Sequence, residues 1–215
     1  YDGTSLSLVA PLSSSNANYR QTVWGILAES NYVNLTDFEL SDDWLLPGSS
    51  KYFNIRETAG ASWATNSCFN WSILSNNGSA SKNVFTVTSD GKVSASQYGG
   101  TATLTVTHKM TGLSKTFRIA SGAVREGTYM IMNKGTGRYM DVKGPSKESG
   151  ALIHQWDYHT DPQAKWKLTI LPGGSYTIQS EYSQKWLKAG STTDTNEIIQ
   201  YSHYGTPSAK WYITE

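Results

Sequence analysis

The chain of 215 residues has one cysteine, Cys68. That scarcity excludes an intrachain disulfide framework and any zinc cluster built on cysteine. An excess of charge of either sign is also missing. Eight basic and eight acidic residues precede Gly122, ten and nine follow it, and the formal net charge is +1. Neither half offers the basic footprint that grips phosphates by counterion release, so nucleic acid is not an expected partner. Only 16% of residues are charged, a poor basis for long amphipathic helices. The longest apolar run, Val23-Trp24-Gly25-Ile26-Leu27-Ala28, is far too short to cross a bilayer, and no membrane insertion is expected.

What the chain has instead is rings and small polar residues. Aromatics reach 12%, with 8 Trp and 13 Tyr, and Gly, Ser, Thr and Asn fill much of the remainder. That balance suits short β-strands joined by polar turns, an all-β protein. The first residue is Tyr1 rather than Met, as expected of a mature or excised piece whose targeting segment is gone. A low-charge, almost cysteine-free composition fits a bacterial protein that is secreted or at the cell surface.

Three stretches differ in character. Residues 1–33 hold one alternating run (Ser5 to Val9), a Ser/Asn loop and two possible helical turns. This is too little to bury a core, so the stretch is expected to be an extension or the tail of a missing upstream domain. Residues 34–122 read as a β-sandwich. Pro47-Gly48, Asn76-Asn77-Gly78 and Asp90-Gly91 are turn signals. Strand-like runs lie between them: Tyr52-Phe53-Asn54-Ile55, Phe69 to Leu74, Val84 to Thr88, Thr101 to His108 and Thr116 to Ile119. In residues 101–108, Ala102, Leu104 and Val106 alternate with threonines, as a half-buried strand requires. Trp71-Ser72, Phe85-x-Val87, Gly91-x-Val93-x-Ala95 and Gly100-Thr101-Ala102-x-Leu104-x-Val106 resemble the bacterial immunoglobulin-like group 2 family. The resemblance covers roughly residues 36–120 and implies an immunoglobulin-like sandwich acting as a spacer or adhesion unit, without a catalytic site.

Residues 123–215 repeat internally. Tyr129-Met130-Ile131 returns as Tyr176-Thr177-Ile178, Ile153-His154-Gln155-Trp156 as Ile198-Ile199-Gln200-Tyr201, and Ala164-Lys165-Trp166 as Ala209-Lys210-Trp211. The displacements are 45–47 residues, and each unit reads as four short strands that must pack against the other unit. Trp166 and Trp211, closing their units, are assigned to the core.

Tyr139-Met140-Asp141-Val142, Gly150 to Trp156 and Gln163-Ala164-Lys165-Trp166 resemble the motif of the ricin-type β-trefoil lectins. The resemblance covers about residues 125–215 and implies a carbohydrate-binding β-trefoil of which two of three repeats are present. Such a partial barrel leaves open edges, and a further domain or chain is expected to complete it. Ala164 and Ala209 stand where the family has glutamine, and Lys188 stands in the second repeat where its sugar-binding aspartate falls. The second repeat is therefore read as a degenerate, non-binding site.

Sugars are recognised by a carboxylate or amide facing adjacent hydroxyls and an aromatic face against the C–H surface. The resemblance implies Asp141 as hydroxyl acceptor, Trp156 as stacking platform, and His154 and Gln163 as further hydrogen-bond partners. From the residues alone, Asp141 as a turn cap and Trp156 as a core ring stay open. Cys68 with His203 faintly resembles a papain-like pair, but the two fall in different domains and Cys68 is read as a structural thiol. Glu39, Asp42 and Asp43 read as a solvated loop rather than a glycosidase pair. His154 and His159, with Asp157 and Asp161, match no metal-site spacing, so no metal and no cofactor are expected. The expectation is a non-catalytic glycan- or polysaccharide-binding chain. The alternative is the accessory C-terminal region of a secreted hydrolase, a cysteine peptidase or glycosidase.

Overall fold

Leu104 and Val106 are fully buried, while Thr103, Thr105 and Thr107 between them keep partial exposure, the period of two of a strand with one face on a core. The same alternation organises the whole computed structural model, which describes residues 35–58, 63–77, 83–190 and 197–213. The expected extension over residues 1–33 lies outside the described residues, as does Gly78. Among the described residues the elements are strands and three single turns of 3-10 helix.

The first unit contains β1 (Phe38–Leu40), β2 (Trp44–Leu45), β3 (Ser50–Tyr52), β4 (Ile55–Glu57), β5 (Trp63–Ala64), β6 (Phe69–Asn77), β7 (Phe85–Val87), β8 (Lys92–Ala95), β9 (Gly100–His108) and β10 (Ser114–Ser121). They form a sheet in the order β2-β10-β9-β6 and two three-stranded sheets, β3-β8-β7 and β1-β4-β5. All pairs are antiparallel except β2 with β10, which run parallel. Between the sheets lies one core that includes Phe38, Phe53, Ile55, Phe69, Val93, Leu104, Val106 and Ile119. Phe38 meets Phe69 edge to face at 5.2 Å. Cys68 is buried against this core, and His108 packs its ring 5.0 Å from Phe69.

Two details differ from the sequence reading. The run Tyr52 to Ile55 is not one strand, because it serves two sheets. Tyr52 pairs with Lys92 on β8, Ile55 pairs with Leu40 on β1, and buried Phe53 lies between them. Asn76 and Asn77 do not turn either. The nine-residue β9 offers partners along its full length, so β6 continues past a register shift between Ile73 and Ser75 to pair Asn76 with Ala102 and Asn77 with Thr101.

The second unit contains β11 (Gly127–Tyr129), β12 (Tyr139–Val142), β13 (Ile153–Trp156), β14 (Trp166–Ile170), β15 (Tyr176–Ser180), β16 (Trp186–Ala189) and β17 (Ile198–Tyr201). The sheet order is β11-β14-β15-β16-β17, with β12 and β13 as a separate hairpin. The internal repeat recurs in its closing bond. The indole N–H of Trp166 donates to the Met140 carbonyl at 2.9 Å, and that of Trp211 donates to the Leu187 carbonyl at 3.0 Å. Each of these tryptophans follows a 3-10 turn, Pro162–Ala164 or Pro207–Ala209, with a fully buried alanine at its end. Alanine fits there because no volume is left for a longer side chain. Four strands belong to the first repeat; the second has β15, β16, β17 and a bridge between Tyr176 and Trp211.

The units meet over a fixed seam. Ser121 is the last residue of β10, paired with Leu45, and the Gly122 N–H reaches the Leu45 carbonyl. Trp44 and Ala120 of the first unit belong to the second core. Arg118 grips Glu126 through two hydrogen bonds, at 2.7 and 2.9 Å, and donates to the Ile170 carbonyl at 2.9 Å. The Tyr176 hydroxyl donates to the Val124 carbonyl at 2.7 Å and accepts from the Val124 N–H at 3.0 Å. Burial pushes this phenol above its ordinary pKa.

Candidate functional site

Antiparallel pairing of β12 with β13 sets Asp141 opposite His154 and Tyr139 opposite Trp156. Directly opposed residues share a face, as do residues two apart on one strand, so Asp141, His154 and Trp156 converge. The His154 and Trp156 rings stack with centroids 5.3 Å apart and planes at 21°. Asp141 is only 4% exposed, whereas Trp156 is 56% exposed. The carboxylate thus sits at the floor and the indole stands free at the rim. The open reading of Trp156 as a core ring has no place in this geometry.

A third element closes the arrangement. The segment after β13 returns His159 to the carboxylate, with Nε2 at 2.7 Å from Asp141 Oδ2. His154 Nε2 lies 3.4 Å from the other oxygen, Oδ1. His159 Nδ1 in turn faces Asp161 Oδ2 at 3.4 Å. Gln163 comes from the 3-10 turn that precedes buried Trp166. These side chains surround a cavity of about 330 Å³, lined by Asp141, His154, Trp156, His159, Asp161 and Gln163, with Val142, Gly144 and Pro145 completing it. The four residues singled out from the sequence therefore line one cavity together. A carboxylate accepts up to about four hydrogen bonds. One direction on Asp141 is taken by the His159 imidazole, which holds it in place, His154 stands beside the other oxygen, and capacity for ligand donors remains.

His159 and Asp161 were not assigned to this site from the sequence. A signal existed in the repeat. Asp141, His154 and His159 correspond to Lys188, Ile199 and Tyr204, so the polar residues of the cavity are replaced together in the second unit. There the Lys188 ammonium lies 4.0 Å from the centroid of the Tyr201 ring, and Tyr204 packs at 5.0 Å against Trp186. The aromatic face corresponding to Trp156 is covered by the chain's own cation.

Elsewhere the sequence candidates are occupied. Asp42 is bound by Lys51 and Arg125, Asp43 by Arg125, and Glu39 lies beside Arg56. Partial burial favours the neutral form of Asp42, but hydrogen bonds from Lys51 and the N–H groups of Trp44 and Asp43 outweigh it and hold the carboxyl below its usual range. A glycosidase acid needs the opposite shift. Cys68 is buried in the first unit and His203 is exposed on the second, so they form no catalytic pair. Among the described residues no three His, Cys, Asp or Glu side chains form a metal-holding group.

Residues 114–201, from the start of β10 to the end of β17, match the family described as ricin-type beta-trefoil lectin domain-like. That span carries a ricin-type β-trefoil lectin-like domain. No curated protein matches the chain. Among solved structures, a designed three-fold symmetric protein, ThreeFoil, is similar at 25% identity and a TM-score of 0.41, over 54% of this chain and 83% of that one. The exo-β-1,3-galactanase 1,3Gal43A from Clostridium thermocellum aligns at 17% identity and a TM-score of 0.39, over 77% of this chain and 52% of that one. A mosquitocidal holotoxin aligns at 14% identity and a TM-score of 0.31, over 83% and 32%.

Proposed function

We propose that the chain is the non-catalytic carbohydrate-binding part of a secreted or cell-surface bacterial protein, in which an immunoglobulin-like sandwich presents a lectin-like module. The observation that carries the reading is the cavity between β12 and β13. It joins a buried carboxylate held by the His159 imidazole, an exposed indole and an amide, the combination that a sugar ring with adjacent hydroxyls requires. Asp141 accepts the hydroxyls, Trp156 stacks on the C–H face, and His154 and Gln163 supply further hydrogen bonds. The family match over residues 114–201 supports the same class of ligand. The fixed seam supports the spacer role, since a rigid mount holds the cavity at a set angle from whatever precedes the sandwich.

One small cavity of this kind gives millimolar to high-micromolar binding, roughly 4–6 kcal/mol. Retention on a polysaccharide then relies on several sites or on tethering. A glycan-array screen of the chain beside Asp141→Ala tests the reading. Binding that vanishes in the variant supports it. An array on which the folded chain binds nothing, or on which the variant binds equally, overturns it.

A further inference from the structure

The loop that follows β13 is fastened at both ends. At its start Asp157 pairs with Arg138 at 3.2 Å, and the Tyr158 ring meets Tyr139 edge to face at 5.5 Å. At its end the 3-10 turn Pro162–Ala164 buries Ala164. Between those points His159 reaches β12, and its two nitrogens face two carboxylates. Nε2 lies 2.7 Å from Asp141 Oδ2, so Nε2 carries a proton, because an ionised carboxylate only accepts. A neutral ring has no other proton to give. Nδ1 is then a lone pair turned towards Asp161 Oδ2 at 3.4 Å, buried and without a hydrogen-bond partner among the described residues. Lone pair against carboxylate is a repulsive contact, and a buried nitrogen left unbonded costs stability. Only the imidazolium, with both nitrogens donating, serves both carboxylates.

The titratable neighbours come from each element packed on the ring. Asp141 lies on β12, His154 on β13 stands 3.4 Å from the other oxygen of that carboxylate, and Asp161 belongs to the loop itself. Among the described residues no lysine or arginine lines the cavity. Asp161 leads the 3-10 turn without capping it through its side chain, which leaves the carboxylate to the imidazole. The second repeat has Lys188, Tyr204 and Thr206 at the places of Asp141, His159 and Asp161. Thr206 Oγ1 there lies 3.2 Å from Ser208 Oγ, within its own turn. The three residues are present together or replaced together, as parts of one device are.

We propose that His159 is a proton-operated latch on the cavity. A proton taken from water at Nδ1 in mild acid turns the lone pair into a donor to Asp161 and draws the loop onto β12. Nε2 keeps its bond to Asp141. The closed loop holds Gln163 and the cavity wall in place before a sugar arrives, so binding tightens as the pH falls below neutral. The inference rests on the sugar-binding reading for its ligand, whereas closure of the latch needs none. Ordering a side chain or two beforehand sets the expected gain at roughly two- to tenfold in affinity.

The test compares the full chain with Asp161→Asn and Asp161→Ala at about pH 7.5 and about pH 5.5. Without ligand, amide hydrogen exchange reads the protection of residues 157–161, corrected for the intrinsic effect of pH. Protection in the parent should rise on acidification, and the nitrogen NMR signal of His159 Nδ1 should shift to that of a protonated nitrogen over the same interval. The amide of Asp161→Asn donates to the lone pair or accepts from Nδ1–H, so protection should be high at both pH values. In Asp161→Ala it should be low at both. Calorimetry with galactose, mannose and xylose then reads the affinity at each pH. The parent should show the stated gain in acid, and both variants a ratio near one. His108 is in the first unit and unchanged in all three proteins, so its effect on stability is common to them. Loop protection that stays flat in the parent overturns the proposal. So does an acid gain in affinity that survives in Asp161→Ala, the result expected if His154 carried it. Where Asp161→Ala fails to fold, His159→Gln replaces it, and an acid gain that persists there is equally fatal. Protection that rises as expected while none of the sugars binds supports the latch and overturns the ligand assigned to it.

Discussion

His159 Nε2 lies 2.7 Å from Asp141 Oδ2 across a separation of eighteen residues. This contact ties the loop after β13 back onto β12, so one imidazole both walls the cavity and aims its carboxylate. The opposite oxygen faces His154 Nε2 at 3.4 Å. A ligand then meets an acceptor that is already oriented, and the affinity lost to ordering side chains falls.

Asp141→Asn keeps the shape of the floor and removes its charge. Hydrogen bonds to a charged group contribute about 1.5–3 kcal/mol, so sugar affinity is expected to fall by roughly ten- to a hundredfold. Trp156→Ala removes only the exposed platform and is expected to weaken binding about tenfold without moving the unfolding midpoint. Titration calorimetry with an array-positive sugar, paired with urea denaturation, checks both. A Trp156→Ala protein that unfolds markedly earlier would instead make the indole a packing residue.

Much of this was legible in the sequence because the repeat supplies its own internal comparison. Trp166 and Trp211 announce themselves as closing residues by recurring with Ala-Lys before them, and both indoles make the same bond. The β9 strand was legible through its alternating threonines. Other features depend on long-range partners that spacing does not encode. The run Tyr52 to Ile55 looks continuous until two different sheets claim its ends. His159 sits in a loop of aromatic and acidic residues, where no periodicity says which side chain turns inward. The buried amide of Gln200 was hidden for a similar reason, since two of its partners are the backbone carbonyls of Ser146 and Glu148, which carry no sequence signal.

Trp166→Phe leaves a gap in a closed core and strands the Met140 carbonyl. The two effects together are expected to cost about 2–4 kcal/mol of stability. Trp211→Phe breaks the equivalent bond at a partly exposed position and should cost about half as much. Urea denaturation of the two variants tests whether the repeats are energetically alike; equal losses would argue that burial does not set the difference.

The seam rests on a close backbone approach. Gly174 has φ +79°, and a Cβ placed on it would lie 2.5 Å from the Tyr98 carbonyl oxygen. Gly112 has a similar φ, +70°, with nothing within 4 Å of such a Cβ. Gly112→Ala is therefore expected to cost only the conformational penalty, about 1 kcal/mol. Gly174→Ala adds a clash against backbone and should cost about 2–4 kcal/mol. It should also split thermal unfolding into two transitions as the units separate. A single transition with the loss seen for Gly112→Ala would show that the seam yields without cost.

The first unit should lose stability in mild acid because of His108. Its ring is fully buried, Nδ1 is paired with Thr111 Oγ1 at 2.9 Å, and burial pushes its pKa below the ordinary value. An unfolded chain takes up the proton near pH 6.5 while the folded one does not yet do so. The stabilisation is thus whole above about pH 6.5, declines as the pH falls below it, and stops declining once the pH is under the folded value. The slope for one proton is at most about 1.4 kcal/mol per pH unit. Carboxylates act in a separate, more acidic window. Asp37, for example, is held below its usual range by the hydrogen bond from Lys115, so its contribution is whole above about pH 3.8 and is lost as the pH falls below that value. Urea midpoints measured from pH 7.5 to 5 should fall for the parent chain and stay level for His108→Gln once its own baseline loss is subtracted. A parent chain whose midpoint is flat over that interval would show that the folded ring takes up its proton as readily as the unfolded one.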